Sequence, residues 1–355
     1  VSGARRAAVI GTGLIGGSLG LRLRQNGWYV SGLDDDPVAV RRAHQLGAID
    51  AVGPDTGAEI TFVATPVGSV VDVARGLLAA GAAVVTDVGG VKAPVVSGVG
   101  DPRFVGGHPM AGSEQDGVDG ARADLFEGAT WVLTPDAATD ESAYAVVRSV
   151  VSSLGADVIA LAPDRHDALV AIVSHVPHLT AATLMGLADE RADEHRALLR
   201  LAAGGFRDMT RIAAGHPGIW PDVCGENREA VVDGLDRLIK ALADIRDVVD
   251  SGNREELLQR LEAARAARTN LPPRYGRPDD LVELRLPIPD RPGALAEVTT
   301  TATELDVNIT DLEIAHSSEG GGGVLIVLVE AIDADALAEA LEPLDYHVTS
   351  RRPLT

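Results

Sequence analysis

Cysteine occurs once in the 355 residues, as Cys224. That excludes an intrachain disulfide and a multi-thiolate metal site within one chain, and it fits a reducing compartment. Lysine is almost absent: Lys92 and Lys240 stand alone, and with arginine they make 31 basic side chains against 52 acidic ones, a formal charge of −21. No basic cluster interrupts that balance, so phosphate backbones are repelled and nucleic acid is not an expected partner. Long apolar runs are also missing. The longest purely aliphatic one, Val324–Val329, falls far short of the ~20 residues that cross a bilayer. The opening Arg5-Arg6-Ala7-Ala8-Val9-Ile10 has the look of a signal peptide, yet Gly11, Gly13, Gly16 and Gly17 interrupt it, and Arg22 and Arg24 follow with no cleavage-like site. The expectation is a soluble, cytoplasmic protein without a membrane partner. A hydrophobic fraction of 46 % and 39 glycines describe an ordinary globular chain, long enough for two or three domains.

Three zones follow one another. Residues 1–162 alternate helical stretches with the short apolar runs Ala7–Ile10, Tyr29–Leu33, Ile60–Ala64, Ala83–Thr86, Arg103–Gly106, Thr130–Leu133 and Val158–Leu161. Such punctuation predicts βαβ units in a doubly wound, mostly parallel sheet of Rossmann type. Residues 163–268 carry helical spacing, as in Leu235, Leu238, Ile239, Leu242 and Ile245, and predict an all-helical domain. Residues 269–280 are rich in proline and polar residues and read as a linker. In residues 281–355, Val282, Leu284, Leu286 and Ile288 alternate as a strand. A helix follows through Leu295–Leu305, a strand over Asn308–Ala315, a glycine turn Gly320–Gly323 and a strand Val324–Val329. A helix Asp335–Leu344 and a closing strand Tyr346–Ser350 complete the run. That order, βαββαβ, is ferredoxin-like.

Gly11-Thr12-Gly13-Leu14-Ile15-Gly16 follows a strand and opens a helix. The first glycine makes the turn, the second admits a pyrophosphate to the backbone, and the third packs helix on strand, leaving free N–H groups for the phosphates. Asp34 ends the next strand 23 residues after Gly11, where a carboxylate binds ribose hydroxyls. Three successive carboxylates, Asp34-Asp35-Asp36, would repel a 2′-phosphate and favour NAD over NADP; Asp35 and Asp36 also fit a solvated turn before Pro37. Thr65-Pro66 and Asp87 either edge the nicotinamide half or are plain strand-end turns.

Polar motifs occupy stretches that otherwise read as buried or tightly turned. His108-Pro109-Met110, with Ser113 and Glu114 close behind, follows a strand end, where α/β sheets place ligand sites. Arg165-His166-Asp167 comes next, then Ser174-His175-Val176-Pro177-His178. Pro177 and the lack of a third ligand argue against a metal between His175 and His178. Arg211, after Gly204-Gly205, is either an ion-paired arginine, with Asp208, or a carboxylate clamp.

Taken together and in this order, the glycine loop, His108-Pro109-Met110, Ser174–His178 and Gly204–Ala213 with Trp220 resemble the prephenate/arogenate dehydrogenase family over about residues 5–270. The resemblance implies a Rossmann domain joined to a helical domain that builds a homodimer. It also implies NAD-dependent oxidative decarboxylation of prephenate or arogenate in tyrosine biosynthesis. By position, His108 matches the catalytic histidine, Arg211 the carboxylate-binding arginine and His178 a pocket histidine, while Ser113, Glu114 and Trp220 line or gate the pocket. Leu14 and Ile15 fall within the cofactor loop. One departure stands out: Asp87-Val88-Gly89-Gly90-Val91-Lys92 has Gly90 where the family often has serine, and Lys92 reads as a surface residue at a helix start. Residues 281–352, with Asp290-Arg291-Pro292-Gly293-Ala294-Leu295 between strand and helix, resemble an ACT domain, which implies tyrosine or another aromatic amino acid near that loop; a purely structural module is the alternative. Two rivals remain open: a β-hydroxyacid dehydrogenase, for which Lys240 is the only lysine in the helical zone, and an NAD-linked sensor.

Overall fold

The computed structural model describes residues 4–113, 115, 117–192, 202–215, 217–269, 281–289, 291–316, 323–348 and 350–353. The chain divides into two compact units, Val1–Leu257 and Leu258–Thr355.

In the first unit an eight-stranded sheet runs β1 (Arg6–Ile10), β2 (Tyr29–Leu33), β3 (Ala51–Val52), β4 (Ile60–Val63), β5 (Val85–Asp87), β6 (Phe104–Pro109), β7 (Thr130–Thr134) and β8 (Asp157–Ala160), in the spatial order β3-β2-β1-β4-β5-β6-β7-β8. All pairs are parallel except β6 with β7. The helices α1 (Leu14–Gln25), α2 (Pro37–Gln45), α3 (Val67–Ala79), α4 (Ala93–Val99) and α5 (Glu141–Ser153) connect them. Helices cover both faces, so β1 and β4 are buried almost throughout, as near-continuous apolar strands require. The order reverses between β1 and β4, and the carboxyl ends on either side form the crevice where open α/β sheets bind ligands. All seven expected strands form; the two-residue β3 has too little apolar sequence to show a period.

After β8 the chain turns helical: α6 (Pro163–Val170), α7 (Val176–Ala192), α8 (Gly204–Thr210), α9 (Trp220–Glu226), α10 (Arg228–Asp250) and α11 (Arg254–Thr269). A π-helical turn, Ala171–His175, joins α6 to α7. Pro177 has no N–H to return to the preceding turn, which loosens the ladder there. The joined helix Pro163–Glu190 is long and apolar enough by composition to span a bilayer, yet it buries His166, Asp167 and His175. Gly234 lets α10 approach closely, since a β-carbon there would press on Val176 and Ile172. Residues 270–280 of the expected linker lie outside the described residues.

The second unit packs α12 (Ala294–Glu304) and α13 (Ala334–Leu341) on an antiparallel sheet of β9 (Leu281–Ile288), β10 (Ile309–His316), β11 (Gly323–Glu330) and β12 (Ser350–Pro353), ordered β10-β11-β9-β12. That is the ferredoxin-like arrangement. Its core joins Leu284, Leu286, Val298, Leu325, Val327 and Leu337. Two boundaries depart from expectation. The second helix gives way after Leu341 to a 3₁₀ turn, Glu342–Leu344. The closing strand starts at Ser350, because Asp345 turns the chain at φ 67° and the Tyr346 ring drops into the core. Of the expected glycine turn, residues 320–322 lie outside the described residues.

Candidate active site

The glycine loop turns at Gly11, where φ is +91° and any side chain would collide with the Ala64 carbonyl. Gly16 sits against the Gly11 carbonyl in the same way. Among the described residues nothing lies within 4 Å of a β-carbon placed on Gly13. That glycine borders a cavity of about 510 Å³ lined by Gly11, Gly13, Asp34, Thr65, Pro66 and Ser69, among others. No side chain caps the N-terminus of α1, which leaves N–H groups of its first turn, at Leu14 and Ile15, toward that loop. Thr65 Oγ1 is buried without a hydrogen-bond partner among the described residues.

Asp34 braces the loop. Its Oδ2 accepts from Thr12 N at 2.5 Å and Thr12 Oγ1 at 2.9 Å, and its Oδ1 accepts from Asp36 N at 3.0 Å. Burial alone would raise the Asp34 pKa, but these donors outweigh it and hold the carboxyl below its ordinary range. A carboxylate offers about four acceptor sites; three are used, and the remaining one suits a ribose hydroxyl. Asp36 is the cap of α2, accepting from Val38 N at 2.7 Å, while Asp35 lies at the rim of the cavity.

The second cluster lies at the ends of β5 and β6. Lys92 is not at the surface: it is 0 % exposed, as is Asp87. Its ammonium pairs with Asp87 and donates to the Gly107 carbonyl at 2.9 Å. Asp87 also accepts from Gly89 N at 2.9 Å and Gly107 N at 3.1 Å. Burial pulls the Lys92 pKa down, against the pull of Asp87. His108, half-buried on β6, sets Nδ1 at 2.9 Å from His166 Nε2, and His166 Nδ1 lies 2.8 Å from Asp167 Oδ1. Asp167 in turn accepts from Lys92 N at 2.7 Å and Ala93 N at 2.8 Å, capping α4. The opposite edge of the His108 ring, Cε1 and Nε2, is 3.8 Å from a β-carbon built on Gly90. Desolvation, then the charges of His166, Lys92 and His175, hold the His108 pKa well below the ordinary imidazole value.

Contacts continue into the helices. Asn227 donates to the Asp167 carbonyl at 2.9 Å and lies 3.3 Å from His175 Nδ1. Burial pushes the His175 pKa down to about 4, with Asp167 opposing and His166 adding. The Trp220 ring meets His175 edge-on at 6.1 Å and stacks on His178 at 3.7 Å and 16°. Burial lowers the His178 pKa. Beyond His178 comes the 3₁₀ turn Arg211–Ala214, packed against α7. One unbroken path of contacts thus leads from His108 to the turn that begins with Arg211.

Several expected residues sit differently. Arg211 is exposed in the single chain and not enclosed in an apolar setting, because the turn carrying it lies on the outside of α7. Ser113 accepts from Gln115 N at 3.1 Å within its own exposed loop, and Glu114 lies outside the described residues. His166, Asp167, Asn227 and Lys92 were not marked as site residues by sequence. The motif Arg165-His166-Asp167 was visible; its partners 58 and 75 residues away were not. Lys240 is exposed on α10, away from any pocket motif.

In the second unit Arg291 is held by Glu297 through bonds of 2.8 and 2.6 Å. Tyr346 donates to Glu297 at 2.7 Å, its hydroxyl 3.1 Å from the Ala294 carbonyl. Arg291 first, then Tyr346, hold the Glu297 pKa down to about 2. Gly293 opens α12 at φ 90°; Ala294 is buried and Leu295 is exposed. Pro292 lies in the same loop, and Asp290 falls outside the described residues.

The prephenate dehydrogenase nucleotide-binding domain model matches residues 19–160, the prephenate dehydrogenase dimerization domain residues 162–263, and the ACT domain residues 282–346. The curated prephenate dehydrogenase of Bacillus subtilis (strain 168) is 32 % identical over 345 residues, 93 % of each chain. The crystal structure of prephenate dehydrogenase from A. aeolicus in complex with hydroxyphenyl propionate and NAD+ superposes with a TM-score of 0.71 at 30 % identity, over 76 % of this chain and 98 % of that one. Synechocystis arogenate dehydrogenase gives 0.64 at 31 % identity, over 74 % and 98 %. By these matches, over a Rossmann sheet, a helical domain and a ferredoxin-like unit, the chain belongs to the prephenate dehydrogenase family.

Proposed function

We propose that the chain catalyses the NAD-dependent oxidative decarboxylation of prephenate to 4-hydroxyphenylpyruvate, with His108 as the base. The observation that carries the reading is the His108 ring. Its Nε2 edge faces the Gly89–Gly90 turn, next to the rim of the dinucleotide cavity, where Gly89 packs on Val67 just after Pro66. Its low pKa keeps the imidazole neutral near neutral pH, the form that can take a proton.

NAD supplies the hydride acceptor when bound. Gly11, Gly13, Gly16 and the first turn of α1 at Leu14 and Ile15 hold the pyrophosphate, and Asp34 accepts a ribose hydroxyl. Thr65 and Pro66 edge the nicotinamide half. His108 draws the proton off the substrate's ring hydroxyl at Nε2 as the carbonyl forms. The ring carboxylate then leaves as carbon dioxide, and aromatisation drives the step forward. Arg211 clamps a substrate carboxylate, offsetting the repulsion that a −21 chain imposes on a dianion. His178 and Trp220, stacked as one plate, form a wall of the substrate pocket beside the Arg211 turn; Ser113 borders it, and Glu114 keeps the pocket role that the resemblance implies. We also assign residues 1–162 to cofactor binding and 163–268 to substrate binding and homodimer formation. The ACT unit takes an aromatic amino acid such as tyrosine at the loop 290–295.

A spectroscopic assay tests this. With prephenate and NAD the purified chain is expected to produce NADH, and His108→Asn to lower kcat by about 10²–10⁴-fold with NAD affinity unchanged. Arogenate in the same assay ranks the two substrates, and added tyrosine is expected to lower the rate. No NADH from either substrate, or a His108→Asn variant within about twofold of wild type, overturns the assignment.

A further inference from the structure

We propose that His166 and Asp167 are positioning residues that lock His108 in the tautomer with its Nε2 lone pair facing the Gly89–Gly90 turn, and that they share the charge His108 gains on accepting a proton. The inference deepens the reading of His108 as base and rests on it. With His166 neutral, the hydrogen bonds leave one assignment. Asp167, 5 % exposed, accepts from the Lys92 and Ala93 N–H groups. A carboxylate has acceptor atoms only, so His166 Nδ1, at 2.8 Å, must carry a proton. A neutral His166 then presents a lone pair at Nε2, and His108 Nδ1, 2.9 Å away, must donate to it. The free lone pair of His108 is left at Nε2, on the side where a side chain at Gly90 would stand.

The surroundings give this arrangement its purpose. His166 is 0 % exposed, and its polar contacts are Asp167 on one nitrogen and His108 on the other. The charged or titratable groups that bear on His108 are His166 and Asp167 from α6, Lys92 with its partner Asp87 from the β5–α4 turn, and His175 from the π-helical turn. His166 when charged, Lys92 and His175 all oppose a cation at His108. Asp167, whose charge also bears on Lys92, reaches the base through His166. When Nε2 takes the substrate proton, the Nδ1–H bond to His166 becomes charge-assisted and stronger, so the support grows as the transition state is reached. Asp167 also caps α4, so His166 is the residue to vary.

Two measurements decide the matter. In full-length protein labelled with ¹⁵N-histidine, the His108 resonances, assigned by their loss in His108→Asn, are expected at about pH 7.5 to show Nδ1 protonated and Nε2 bare. The opposite tautomer, or an averaged mixture of the two, overturns the proposal. In the prephenate assay His166→Gln is expected to lower kcat by about 10²-fold, with KM for prephenate and Kd for NAD within about threefold. The kcat of the variant is also expected to keep rising with alkaline pH, as hydroxide replaces the crippled base, while the wild type stays flat. A kcat near the wild-type value, or a drop with the pH profile unchanged in shape, overturns it. If wild type makes no NADH, the catalytic reading fails while the resonances still decide the tautomer.

Discussion

Lys92 and Asp87 carry the clearest energetic statement made by single residues. Both are buried completely, and the lysine ties Asp87 to the Gly107 carbonyl just ahead of His108. Lys92→Met removes the cation but leaves Asp87 buried, with only the Gly89 and Gly107 N–H groups to answer its charge. The expected cost is about 3–5 kcal/mol, measured as a drop in the urea midpoint, with turnover falling as β6 relaxes around His108. A midpoint within experimental error of wild type would show that the pair is dispensable. Sequence could not reveal this. A lysine following two glycines at a helix start has the pattern of a solvated residue, and its burial depends on strands β5 and β6 closing over it. The same reasoning separates His108 from His166: the first stands in a motif beside a strand end, whereas the second acquires meaning from a ring 58 positions away.

The strand–turn–helix at the start of the chain shows how an element divides its glycines between folding and binding. Gly11 and Gly16 are closed by neighbouring carbonyls, but Gly13 faces open space at the edge of the cavity. Gly13→Val is therefore expected to keep the melting temperature close to wild type while weakening NAD binding by at least ~10-fold, since the branched side chain occupies the approach of the pyrophosphate. Isothermal titration with NAD beside a thermal melt reads both; unchanged affinity would remove the loop from the cofactor site. This element was legible from sequence because turn, helix start and acid fall at fixed spacings. The apolar strands were legible too, each being buried on both faces. Elements set by contact rather than pattern were not. The two-residue β3 exists because it pairs with β2. The closing strand of the second unit slid from Tyr346 to Ser350 because the tyrosine found a buried hydrogen-bonded site. Arg211 falls in a stretch that reads as buried or tightly turned, yet it is exposed on a 3₁₀ turn packed against α7.

At the scale of the whole molecule, the helical part of the first unit exposes apolar surface among the described residues. Along α10, Val232, Ile239, Leu242 and Val249 are all exposed. Their spacing of seven, three and seven puts them on one stripe, the seam of two helices packing side by side. Val231, Gly234 and Val248 on another face are buried against the rest of the unit. The exposed stripe continues the logic of Ile172, Val173 and Leu187, exposed on the long helix nearby. Contiguous patches of this kind mark association surfaces, and the match to the family's dimerization domain covers them. The proposed homodimer brings together two chains that each carry a formal charge of −21, so burial of the stripe must exceed a long-range repulsion that salt screens. The expected mass in solution is about twice the 36.8 kDa of one chain, with the dimer tightening as ionic strength rises. Ile239→Glu combined with Leu242→Glu places charges at the centre of the stripe and is expected to release monomers, read by light scattering. The same variant is expected to lose most turnover, because Arg211 stands exposed in the isolated chain and would need a second surface to enclose the dianion we propose it binds. A double variant that stays dimeric would move the interface elsewhere, and a fully active monomer would show that one chain closes the substrate site alone.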